Sequence, residues 1–462
     1  MAEETYIAAL QSGMRGKLIQ PQDAAYEEAR KVYNGMIDKH PRLIAQCEDV
    51  ADVIQAVNYA RESSMLLAVR GGGHSLPGMS TCDDGLVIDL TRMNGVRVDP
   101  EKRTVRVEGG CTWRDIDHAT HAFGLATPGG VISTTGVVGL TLGGGSGYLT
   151  RKYGLSIDNL LEADMVLADG SFVTVSEDAH EDLFWAIRGG GGNFGVITSM
   201  LFKLHPIDVD YAGPMLWELD DIKPVLQWYR TFMPEAPEEL YGFFAFLQVP
   251  PGDPFPAVHH NKKMGGVLWC YVGDMDKAEE VFEQIRGQLP DPAINLVGPV
   301  PHPALQSMFD PLYPPGHQWY IKGDFITEIP DEAIDEHIRF ARMLPTPTSG
   351  IHLYPIDGAA HKAKKDATAF SFREANWSQV IVGVDPDPKN KEKLIEWARA
   401  YHDAIHPYAA GGAYVNFLME EGDERVRSTY RENYDRLVEI KTKYDPTNLF
   451  RLNQNIKPAE VV

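Results

Sequence analysis

Arg70-Gly71-Gly72-Gly73-His74-Ser75 follows directly on the apolar run Met65-Leu66-Leu67-Ala68-Val69. A buried strand that feeds three glycines predicts a turn with bare backbone, whose N–H groups can wrap an anion because no Cβ stands in the way. His74 closes the turn, so a reactive imidazole is held beside the cradle. Further along, residues 127–147 hold eight glycines interleaved with Ser133, Thr134 and Thr135. Val131, Ile132, Val137, Val138, Leu140 and Leu142 make this stretch too apolar for a flexible linker. It predicts a second bare-backbone wall, packed against something flat.

A third glycine stretch, Gly189 to Gly195, contains a formal G-x-G-x-x-G match at Gly190, Gly192 and Gly195. The dinucleotide fingerprint needs a strand before it and a helix after it. Here residues 181–188 read as a helix and 196–204 as a strand, the reverse order, so the parallel-sheet dinucleotide fold is rejected. No G-K-[ST] supports a P-loop either. Helices are expected over 21–33, 49–63 and 112–123, with hairpins over 96–107, turned at Asp99-Pro100, and 161–176, turned at Asp169-Gly170. From about residue 205 the glycine clusters stop. Aromatic strands at 211–219, 241–249, 267–272, 318–325, 351–355 and 379–384 then alternate with helices at 275–289, 331–343 and 390–402. This predicts an α+β architecture, a large antiparallel sheet covered by helices on one face. A long helix at 423–443 leads into the tail 445–458.

Composition bounds the partners. A formal charge of −22 repels nucleic acid and anionic membranes, and the short run Lys362, Lys364, Lys365 is no basic patch. Cys47, Cys82, Cys111 and Cys270 form no C-x-x-C pair, so neither a zinc site nor a disulfide framework is suggested. His118 and His121 sit three apart without a third ligand of suitable spacing, and no metal is expected. The acidic N-terminus lacks a basic-then-apolar signal and no run reaches membrane-span length, which makes a soluble, cytoplasmic protein the expectation.

Taken together, Arg70 to Ser75, the Thr134-Thr135-Gly136 wall with Gly143-Gly144-Gly145-Ser146-Gly147, Arg151-Lys-Tyr-Gly-Leu-Ser-Ile-Asp-Asn159, Trp185 to Gly195 and the tail 445–458 resemble the berberine bridge enzyme-like flavoproteins of the vanillyl-alcohol oxidase superfamily. The resemblance runs in order along nearly the whole chain, and its single-histidine variant is similar to bacterial hydroxynicotine oxidase. It implies a PCMH-type two-part FAD-binding domain, residues 1–206 plus a returning segment 412–462, with a substrate domain, 207–411, inserted between. It implies FAD bonded covalently through the 8α-methyl to His74. Many relatives add a bond to a cysteine, but the matching position is Ile132, so a single link is expected. Arg70, Gly71, Gly72, Gly73, Ser75, Ser133, Thr134, Gly136, Gly139, Gly145 and Gly147 are expected to hold the cofactor. Val196, Ile197, Tyr414, Asn416 and Asn453 complete that set, and Thr135 matches the position that controls oxygen access.

The resemblance implies an FAD-linked oxidase that removes hydride from a small alcohol, amine or sugar and reduces O2 to H2O2. A dehydrogenase using another acceptor and a flavin-containing binding protein without turnover are the alternatives. Ser146, Phe417 and Leu140 stand where many relatives carry tyrosine, tyrosine and histidine, so the family's usual base is missing. Residues 318–325 alternate, which puts Tyr320, Lys322 and Asp324 on one face. If that face meets the flavin, Lys322 and Tyr320 are catalytic candidates with Asn416, although a solvated edge accounts for Lys322 equally well. His352 and Tyr354 are the next substrate contacts. The oligomeric state is left open.

Overall fold

The computed structural model describes residues 2–460, with side chains from Ile7 onward. The first 206 residues form two principal sheets. One has the strand order Lys17–Ile19, Leu43–Gln46, Leu86–Asp89, Leu67–Arg70, with the last three parallel. The helix Val50–Ser63 makes the crossover because Val53, Ala56, Val57 and Ala60 recur on one buried face. Asp49 caps it by accepting from the Asp52 N–H at 3.1 Å, and Ser64, left-handed at φ 53°, ends it. The other sheet is antiparallel, in the order Val96–Asp99, Thr104–Glu108, Val196–Lys203, Leu160–Val166, Phe172–Ser176. The two share a core in which Leu43, Val57 and Ile88 meet Val166 and Val196.

Residues beyond 206 build an eight-stranded antiparallel sheet. One face is covered by the helices Ile222–Glu235, Ala278–Arg286, Asp331–Arg342 and Lys391–Ile405, against which Trp217, Phe244, Tyr320, Trp377 and Ile381 pack. Strand alternation turns Phe243, Trp319, Ile321, Tyr354, Val380 and Val382 to the other face, toward the first lobe. The expected α+β class is the class observed.

Two local expectations are corrected. The helix at 21–33 shrinks to Tyr26–Ala29, since its alanines offer no apolar stripe and Tyr26 is instead fixed by donating to the Pro41 carbonyl at 2.7 Å. The helix at 423–443 is two, Asp423–Tyr430 and Asn433–Tyr444, broken where Arg431 takes a left-handed φ of 47°. Within the glycine wall, Val137–Leu142 is a short helix. The helix Ile222–Glu235 escaped notice because Pro224 and Pro234 mask its period, although a proline in the first turn removes no helical bond.

Arg151 locks the lobes together. Only 1% exposed, it reaches Asp357 through Nε at 2.7 Å and donates to the carbonyls of Ala236 at 2.9 Å and Pro237 at 3.0 Å. Arg151→Met strands the buried Asp357 carboxyl and should destabilise the fold by about 3–5 kcal/mol. A thermal unfolding midpoint equal to that of the unmodified chain would show that the clamp contributes nothing.

Candidate active site

The strand Leu67–Arg70 ends at Gly71, and Gly73 takes φ +70°, so the chain turns at once. Gly72 and Gly136 meet backbone to backbone: a Cβ on Gly72 would lie 2.4 Å from the Gly136 nitrogen, and one on Gly136 would lie 2.6 Å from the Gly72 nitrogen. The two glycine stretches thereby become adjacent walls of one cavity of about 380 Å³, whose far side is the helix-free face of the eight-stranded sheet.

His74 projects into this cavity. Its ring stacks on Tyr33 at 3.8 Å, with Thr134 Oγ1 3.1 Å from Nε2 and Thr135 Oγ1 3.4 Å from Nδ1. Burial brings its pKa down to about 4, only partly offset by the charge of Asp310, so the imidazole is neutral at physiological pH. A neutral ring keeps a nitrogen lone pair available for bonding.

Gly71, Gly72, Gly73, Ser75, Thr135, Gly136, Gly139, Ile197, Tyr414, Asn416 and Asn453 also line the cavity, as do His352 and Tyr354. Tyr414 Oη accepts from the Gly145 N–H at 2.7 Å and from Asn416 Nδ2 at 2.8 Å, and burial raises its pKa to about 12. Asn416 Nδ2 also donates to the Leu140 carbonyl at 2.9 Å, which ties the C-terminal segment to the glycine wall. Asn453 Nδ2 bonds the Gly192 carbonyl at 3.0 Å, while its buried Oδ1 has no partner. A Cβ at Gly139 or Gly192 would meet nothing within 4 Å. Open space over bare backbone, with an orphaned acceptor at its edge, fits a large planar cofactor with an N–H to offer.

Other expected contacts are corrected. The Arg70 side chain turns into its own sheet and pairs with Asp89 at 2.8 Å, because the parallel register sets these residues side by side. Ser133 donates to Asp310 at 2.5 Å instead of facing the cavity. Gly145 and Gly147 shape the wall from behind, and a Cβ on Gly147 would strike the Gly129 carbonyl at 2.3 Å. Val196 is core, whereas its neighbour Ile197 reaches the cavity.

The largest correction concerns Tyr320 and Lys322. Alternation along Gln318–Ile326 is as expected, but the opposite face meets the cavity, with Trp319 and Ile321 among its lining. Tyr320 packs among the helices and accepts from Arg399 Nε at 3.0 Å. Lys322 pairs with Glu421 at 2.6 Å. Asp324 is buried, with His402, Arg425 and the exposed His406 around it; although burial pushes its carboxyl up, these partners hold it at about 2. Asp324, His402 and His406 bring ligand-type atoms within 4.8 Å, the one such trio among the described residues, yet the Arg425 guanidinium already sits 2.5 Å from that carboxylate. Tyr33, Tyr313, Trp319 and Ile321 were missed as site residues; the alternation was legible, but apolar side chains carry no chemical flag.

His352 and Tyr354 belong to one strand, Gly350–Pro355, and the Tyr354 hydroxyl is hydrogen-bonded to His352 Nδ1 at 2.7 Å. Burial lowers the His352 pKa to about 4 and pushes the Tyr354 phenol well up.

Residues 41–176 match the family described as "FAD binding domain", and residues 413–457 match "Berberine and berberine like". An FAD-linked oxidoreductase of Dictyostelium discoideum is 32% identical over 94% of this chain and 92% of its own length. The chain belongs to the berberine bridge enzyme-like FAD-linked oxidoreductases. Within that family it is similar to (R)-6-hydroxynicotine oxidase of Paenarthrobacter nicotinovorans, 29% identical over 96% of this chain and 97% of that protein. The crystal structure of 6-hydroxy-D-nicotine oxidase from Arthrobacter nicotinovorans superposes with a TM-score of 0.86 at 26% identity, covering 96% and 98% of the two chains. This berberine bridge enzyme-like chain is therefore a flavoprotein enzyme of PCMH-type fold that binds FAD.

The open space above Gly139 provides a test of where the cofactor lies. Gly139→Phe adds a ring into the cavity without a backbone clash and replaces glycine inside a helix, so the variant should fold at least as well. It should purify colourless. Flavin absorbance at the unmodified stoichiometry would move the cofactor away from this wall.

Proposed function

We propose that this flavoenzyme is an oxidase that carries FAD on His74 alone and takes hydride from a small organic substrate in the cavity, with O2 as the final acceptor, reduced by two electrons to H2O2. The observation that carries the reading is His74 itself, a neutral, stacked imidazole facing the cavity from the cofactor loop. None of the four cysteines lines the cavity, and Ile132 does, which supports a single tether. Residues 1–206 and 412–462 would hold the cofactor, and 207–411 the substrate.

Bound FAD supplies a two-electron acceptor, which leaves the chain to position substrate and manage a proton. By position the Tyr354–His352 pair fits the second role: Tyr354 can accept a proton from a substrate hydroxyl while its own passes to His352 Nδ1, against the burial that disfavours a charged imidazole. Asn416 and Tyr414 hold the cofactor side of the cavity. Thr135, beside His74, stands where oxygen access would be set.

The test has two parts. Acid precipitation of the purified protein should leave the yellow colour in the pellet, and a colourless pellet would sink the covalent tether. Chemically reduced enzyme mixed with aerated buffer should reoxidise within seconds while producing peroxide. Reoxidation over many minutes would favour a dehydrogenase.

A further inference from the structure

The cavity is built without charge. No Asp, Glu, Lys or Arg is among its lining residues, although these types make up 23% of the chain. Its two imidazoles, His74 and His352, are both held near 4 by burial and so are neutral. Asp310, whose charge acts on His74, is already engaged by Arg114 at 2.8 Å and Ser133 at 2.5 Å.

The sheet side is a surface of rings and branched aliphatics. Trp319 stands 5.5 Å from Tyr33 and 5.1 Å from Tyr313, centroid to centroid, and Ile321, Val380 and Val382 extend the surface. The phenols there are occupied by backbone: Tyr33 donates to the Tyr313 carbonyl at 2.6 Å and Tyr313 to the Thr348 carbonyl at 3.4 Å. Trp319 Nε1 is buried and has no partner.

From these features we infer that the substrate is an uncharged molecule carrying an aromatic ring and a hydrogen-bond acceptor for Trp319 Nε1, and that it is not a sugar, a carboxylate or a protonated amine. The inference rests on the reading of this cavity as the substrate site. On the sheet side an ion loses its water and finds neither a counter-charge nor the bare backbone N–H groups that the glycine loops offer an anion. A sugar brings many hydroxyls, each of which must exchange water for a partner, and the free partners are few. A flat apolar ring loses nothing on leaving water and gains contact with the Trp319 and Tyr313 faces. Cation–π attraction to the same rings is the one force that favours a cation, and at a dry site without a carboxylate it does not replace hydration.

Binding and turnover are measured separately. The holoenzyme is titrated with benzamide, benzoate, benzyltrimethylammonium and glucose, none needing to react, and binding is read from the flavin difference spectrum and tryptophan fluorescence. Benzamide should bind at least about 100-fold more tightly than benzoate or the quaternary ammonium ion, with glucose weaker still. Equal or reversed preference, or no binding of benzamide, overturns the inference. In Trp319→Phe, benzamide affinity should fall about ten-fold while toluene affinity holds, because only the acceptor-bearing ligand uses the N–H; equal losses overturn the assignment to Trp319. Benzyl alcohol is then mixed anaerobically with the enzyme. Selective benzamide binding without flavin bleaching by any uncharged aromatic substrate counts against the oxidase reading and leaves the ligand preference standing.

Discussion

His74→Ala should abolish acid-stable flavin altogether: the unmodified chain gives a yellow precipitate, and the variant a white one with the flavin in the supernatant. The reason is geometric. No cysteine lines the cavity, and the position that could offer a thioether carries Ile132. His352 is the other imidazole there, but its Nδ1 is already engaged by the Tyr354 hydroxyl at 2.7 Å and it lies on the sheet side. The Gly72–Gly136 contact, which frames the cavity, does not involve the imidazole. FAD should therefore still bind without a covalent bond and be removable by gel filtration in mild denaturant. Its potential should fall, read by xanthine oxidase–dye titration. Colour retained in the denatured variant would place the bond elsewhere.

His352→Gln and Tyr354→Phe should each slow anaerobic flavin reduction about 100- to 10,000-fold, the usual scale for loss of a positioned general base, with flavin content unchanged. The acidity of His352 gives the pair a signature. With its pKa brought to about 4 by burial, it stays neutral and able to accept a proton from physiological pH down to that value. The reduction rate should be flat through neutrality and fall as pH drops through about 4. Stability moves in the same direction. A histidine in the unfolded chain takes up a proton below about 6.5, whereas buried His352 does not until about 4, so acidification across that window favours unfolding. The profile is therefore best taken by rapid pH jump. Lys322→Met is the control, since Lys322 lies with Glu421 outside the cavity lining. A collapse of reduction in that variant, with His352→Gln unaffected, would reverse the assignment.

The legible part of this protein was written in glycine. Gly71 to Gly73 and Gly136 leave the backbone bare, and they line the cavity. The antiparallel sheet was legible from aromatic alternation. What alternation cannot say is which of its two faces covers a site. Along 318–325 the expected contacts are Tyr320 and Lys322, yet Trp319 and Ile321 line the cavity and Lys322 is held in an ion pair. Ser133 and Arg70 were misread for a related reason. Each sits among cofactor-facing neighbours in sequence, but Asp310 and Asp89, distant in the chain, had already claimed them. The break at Arg431 left no sign in composition.

Tyr414, Asn416 and Asn453 close the cavity opposite the loop that ends at His74, some 340 positions earlier in the chain. A ribosome adding about 5–20 residues per second takes roughly 17–70 s to travel that distance. Throughout that interval the glycine loop exists as half a binding site, made but unable to enclose anything, and the sheet that supplies another side is still being spun out. The cofactor is thus captured by a finished polypeptide. A message truncated before Tyr414 yields a chain with most of its core and none of the three residues that close the cavity from the C-terminal side.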